Sequence, residues 1–90
     1  MKPNPAAAAT EQWIIQVGAF DLESEARQRI ILARSKTAAL LKAAKSYTES
    51  TTRGDKTLYR ARFSGFDRAR ADAVCKQLQR SDVSCIALRI

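Results

Sequence analysis

The chain has 90 residues, with 16 lysines and arginines against 9 acidic residues, 2 cysteines and no histidine. At this length one domain is expected, burying roughly 60–65% of the surface that its unfolded chain exposes. The lack of histidine excludes Ser-His-Asp and Cys-His catalysis and the usual zinc sites, no apolar run approaches the ~18 residues of a membrane span, and the formal charge of +7 fits an anionic or polymeric partner, or solubility alone.

Residues 1–11 read MKPNPAAAATE, two prolines and an alanine run without amphipathic period. Proline lacks an N–H and alanine offers little surface to bury, so this is the composition of a linker. The alternative is a helix that opens at Pro5. No basic n-region is followed by an apolar h-region, so a secretory signal is missing from a piece that is expected to belong to a longer protein. The folded part is expected over residues 12–90.

In residues 13–20, WIIQVGAF, Ile15 and Val17 alternate with Gln16 and Gly18, the period-two pattern of a half-buried strand. Asp21 follows and is expected to cap a helix. That helix places Ala26, Ile30, Ala33 and Leu40–Leu41 near one face, and the stretch Ser35–Lys36–Thr37 is expected to divide it into a long piece and a short one. Residues 45–52, KSYTESTT, suit an edge strand, joined through the Gly54–Asp55 turn to a third strand, LYRARFSGF, over residues 58–66. Phe66–Asp67 then repeats Phe20–Asp21 and opens a second helix, with Ala71, Val74, Cys75 and Leu78 as its buried stripe. Residues 83–90, VSCIALRI, form the last strand. The order β-α-β-β-α-β is that of the ferredoxin-like, ribonucleoprotein-like α+β sandwich. Right-handed crossovers put the first and third strands in the middle of a four-stranded antiparallel sheet, with the helices on one face.

Alternation then predicts what the other face carries. With Ile15 and Val17 toward the helices, Ile14 and Gln16 point outward; with Tyr59, Ala61 and Phe63 inward, Arg60, Arg62 and Ser64 point outward beside them. A tight turn at Gly54–Asp55 sets Glu49 opposite Arg60 and Tyr47 opposite Arg62, whereas a slip by one residue sends Tyr47 into the core. An amide, two guanidinium groups, a hydroxyl and a phenol can donate to sugar hydroxyls, acetamido carbonyls and carboxylates, or clamp phosphates. The plainer alternative is a solvated strand face.

WIIQVGAF resembles the opening strand of SPOR domains, the sporulation-related-repeat modules that bind bacterial cell-wall glycan. Tyr59 to Phe66, YRARFSGF, resembles that family's third strand, often an aromatic-Arg-apolar-Arg-apolar-Gly-Pro-Phe run. The likeness extends over residues 13–90. It implies a non-catalytic, cofactor-free module for peptidoglycan glycan strands denuded of stem peptides, which targets its parent protein to the division septum in the periplasmic cell envelope. Gln16 matches the family's glycan-contacting glutamine, and Arg60 and Arg62 fall on the binding face. Ala19 stands where many members have serine, and Ser64–Gly65 replaces Gly-Pro. The glycan-binding residues expected are therefore Ile14, Gln16, Tyr47, Arg60, Arg62 and Ser64.

Cys75 on the second helix and Cys85 in the last strand can meet across the helix–sheet interface, or remain two buried thiols; the family reading favours the bridge and an oxidising compartment. The linker composition fits several parents, a wall hydrolase, a D-alanyl-D-alanine carboxypeptidase, a lipoprotein or a division protein, and the module is expected to be monomeric, with no membrane insertion by this segment. Two other functions share the fold. An RNA-recognition module stacks bases on rings of its central strands, and here Tyr59 and Phe63 have the wrong parity, so nucleic acid is not the expected partner. The other is a regulatory or protein-interaction module.

Overall fold

The computed structural model describes residues 12–90, so the expectations of a linker over residues 1–11 and of a helix from Pro5 concern residues outside it. The described elements are β1 (Trp13–Phe20), α1 (Glu23–Lys36), α2 (Ala38–Leu41), β2 (Lys45–Arg53), β3 (Lys56–Phe66), α3 (Arg68–Arg80) and β4 (Ile86–Arg89). They build one antiparallel sheet of order β2-β3-β1-β4, with β3 and β1 central as the crossover rule requires. The α+β sandwich read from alternation is the observed architecture.

The core lies between the helices and one sheet face. Ile15, Val17, Ala61, Phe63 and Phe66 meet Ala26, Ile30, Ala33, Leu41, Ala71, Val74 and Leu78, all buried. Each large side chain contributes on the order of 1.5–3 kcal/mol by leaving water. The helix divides where Ser35–Thr37 suggested, and Leu41 is buried while its neighbour Leu40 is 43% exposed. Thr37, itself buried, donates its hydroxyl to the Ala33 carbonyl at the break.

Two local expectations are corrected. Asp21 does not cap α1: the N-cap residue is Leu22, which makes no side-chain cap bond, and Asp21 faces Lys56 at 3.8 Å. Asp21 lies one position too early, because Leu22 stands between it and the first helical residue. Glu23 and Glu25 instead put negative charge in the first turn, where the helix dipole favours it. Next, β4 begins at Ile86 rather than at residue 83, because residues 81–83 are taken by the end of α3. The Val83 N–H donates to Leu78 and the Asp82 N–H to Gln79, the two bonds of a Schellman cap, with Asp82 in the left-handed region at φ 62°. Arg34, although charged, is structural. Its guanidinium donates to the carbonyls of Leu41 (3.0 Å) and Ala44 (3.1 Å) and lies over the Phe63 ring, which pins the connection into β2.

Of the two possibilities for the cysteines, the bridge is the one formed. Cys75 and Cys85 are disulfide-bonded, with Cα atoms 5.1 Å apart and a sequence separation of 10.

Candidate functional site

The sheet face away from the helices carries the residues that alternation put there. Ladder pairing sets them in rows, since paired residues share a face. Tyr47 (β2), Arg62 (β3), Gln16 (β1) and Ile86 (β4) form one row across all four strands, about 14 Å wide at ~4.8 Å per strand. Lys45, Ser64, Ile14 and Leu88 form the next row on one side, and Glu49, Arg60 and Ala19 the row on the other. Tyr47 thus lies opposite Arg62, on the outward alternative of the two registers.

Two bulges keep these rows in step. In β1 both Val17 and Gly18 lie against Ala61, which returns Phe20 to the helix side and turns Ala19 outward. In β3 the extra residue is Gly65, at φ 98°, where glycine alone is unstrained; it lets Phe66 drop into the core opposite Trp13. Without that bulge Phe66 and Ser64 would share a face.

The row through Arg62 is wired. The Arg62 Nε donates to Gln16 Oε1 at 3.0 Å, and its Nη1 makes an ion pair with Glu49 Oε2. The guanidinium therefore ties β1 to β2 across β3, with its side chain only 11% exposed. Holding Gln16 by its oxygen leaves the amide nitrogen, a donor of two hydrogens, for anything above it. Glu49 is opposite Arg60 by register yet engages Arg62, a diagonal reach open to long side chains. Arg60 consequently has no hydrogen bond or ion pair to a side chain among the described residues.

Ile14 lies on this face but is only 6% exposed, between Ser64 and Leu88. Ile86, 52% exposed beside Gln16, presents the apolar surface instead. It was legible in principle: the alternation Cys85, Ile86, Ala87, Leu88 assigns Ile86 and Leu88 to one side, but the register that joins them to Gln16 is set by the fold. Tyr59 and Phe63 belong to the core side. Among the described residues no cluster of His, Cys, Asp and Glu suits a metal ion, and no helix is long and apolar enough to cross a membrane.

A face with fixed donors, the Arg60 guanidinium without a side-chain partner among the described residues, a phenol and an aliphatic edge suits a polar ligand with apolar faces. Solved structures that share the fold include two bacterial domains. The SPOR domain of RlpA from Pseudomonas aeruginosa is 19% identical with a TM-score of 0.70, over 87% of this chain and 99% of that one. The peptidoglycan binding domain of the B. subtilis cell wall lytic enzyme CwlC is 18% identical with a TM-score of 0.60, over 84% and 85%. No curated protein sequence gives a significant match. The sequence profile of the SPOR domain matches residues 9–89, nearly the whole chain, and by that match the chain belongs to the SPOR domain family.

Proposed function

We propose that this chain is a non-catalytic module that binds peptidoglycan glycan strands on the open face of its sheet. It prefers strands from which stem peptides have been removed, and so brings its parent protein to the division septum. The observation that carries the reading is the row Tyr47–Arg62–Gln16–Ile86 with Arg60 beside it, on a domain of this family. The structural likeness to a peptidoglycan binding domain supports it.

In this reading the Gln16 amide nitrogen, the Arg60 guanidinium and the Ser64 hydroxyl donate to sugar hydroxyls and acetamido carbonyls. Tyr47 and Ile86 pack on pyranose faces, Ile14 is the floor beneath them, and Arg62 orients Gln16 while offering its remaining Nη2. The surface is shallow, so a stem peptide on each muramyl unit collides with it. The disulfide fits an oxidising compartment, the periplasm or another part of the cell envelope. The module acts as a monomer and needs no cofactor.

Pull-down with sacculi tests the reading. Amidase-treated sacculi are expected to retain the 90-residue chain and untreated ones to retain little. Equal retention would remove the preference, and no retention would remove the glycan reading. Arg60→Ala is expected to weaken retention about tenfold with thermal stability unchanged, since a lost charged hydrogen bond is worth that order and the Arg60 side chain has no hydrogen bond or ion pair among the described residues. Retention that instead collapses with salt, together with binding to poly-nucleotides, would favour a phosphate backbone as the true ligand.

A further inference from the structure

At one end of the sheet, bounded by Ala43, Lys45, Ser64, Gly65 and Arg70, lies a depression of about 450 Å³. Its two cations come from different elements, Lys45 from β2 and Arg70 from the first turn of α3. Both are exposed, and neither side chain has an ion pair or hydrogen bond among the described residues. The backbone N–H of Arg70 is occupied by the Asp67 carboxylate at 2.7 Å, so that acid serves the helix. Ser64 belongs both to the depression and to the open face, paired with Ile14 on one side and Lys45 on the other. It lies four residues along β3 from Arg60, about 13 Å at ~3.3 Å per residue.

We infer that this depression is a carboxylate subsite, in which Lys45, Arg70 and the Ser64 hydroxyl hold the lactyl carboxylate of a muramyl unit. The inference rests on the glycan reading and gives its preference a second cause. An amidase cuts the amide between the lactyl carbonyl and the first amino acid, and water supplies the hydroxyl, so each denuded unit ends in a carboxylate. While the peptide is attached, the same carbonyl is a neutral amide. Lys45 and Arg70 then meet a charge only where the peptide is gone, and charge-assisted hydrogen bonds are about twice as strong as neutral ones.

The experiment compares soluble glycan strands released by amidase and lysozyme-type digestion, either with their carboxylates free or after conversion to methylamides. Binding of the 90-residue chain to free-carboxylate strands is expected to be about tenfold tighter than to methylamides. Lys45→Gln and Arg70→Gln are each expected to weaken the first several-fold and leave the second unchanged. Lys76→Gln, the same charge loss on the exposed surface of α3, is expected to leave both unchanged. Equal affinity for the two strand types would overturn the subsite while leaving glycan binding in place. Losses as large in Lys76→Gln as in Lys45→Gln would also overturn it, in favour of net charge. Failure to bind either strand would instead remove the glycan reading itself, and the subsite with it.

Discussion

The two strand–Phe–Asp–helix units are alike in sequence and unlike in how they are held. In the second, Asp67 directly precedes α3 and its carboxylate accepts the Arg70 N–H; in the first, Asp21 stands clear of α1 and faces Lys56 across solvent. Phe66 is 1% exposed, whereas Phe20 is only partly buried, its ring against Gly18 and under Arg29. The way back to the sheet differs too, through a disulfide after α3 and through Arg34 hydrogen bonds after α1. A repeated motif therefore establishes the order of elements, and one residue of offset decides which interactions follow.

The largest expected contrast is between the phenylalanines. Phe66→Ala should cost about 3–5 kcal/mol and Phe20→Ala about 1–2 kcal/mol in urea unfolding, because only the first leaves a closed cavity. Comparable losses would show that the first unit is packed as tightly as the second. Next come the two connections. Replacing both cysteines by alanine should cost about 2–3 kcal/mol, the loop-entropy value for so short a closure. Arg34→Gln should cost about 1–2 kcal/mol through two carbonyls left without their charged donor. Reductant should lower the melting temperature of the wild-type chain and of Arg34→Gln, and not that of the double cysteine variant. The smallest contrast is between the aspartates. Asp67→Ala should cost about 1 kcal/mol, and Asp21→Ala should leave the unfolding midpoint in place, as exposed ion pairs at such distances contribute little. A loss at Asp21 equal to that at Asp67 would restore the symmetry of the motif.

The strand order and the identity of the open face were legible because alternation is a local property: Ile15 and Val17 need the core, so Gln16 must leave it. Tyr47 followed once the two-residue connection set the register. What escaped depended on partners distant in sequence or on an offset of one residue. Charge alone does not tell that Arg34 seeks carbonyls at positions 41 and 44, nor that Glu49 prefers Arg62 to Arg60. The role of Ile86 required the pairing of β4 with β1, and the start of β4 required the Schellman turn at Asp82, where an aspartate holds the place more often taken by glycine.

The clamp on Arg62 has a kinetic corollary. Its side chain is immobilised between an amide and a carboxylate before any guest arrives, so little rotamer freedom remains to be lost on docking. If the face binds glycan as proposed, substitutions that loosen the clamp, such as Glu49→Gln, should shorten the residence time of the complex far more than they slow its formation.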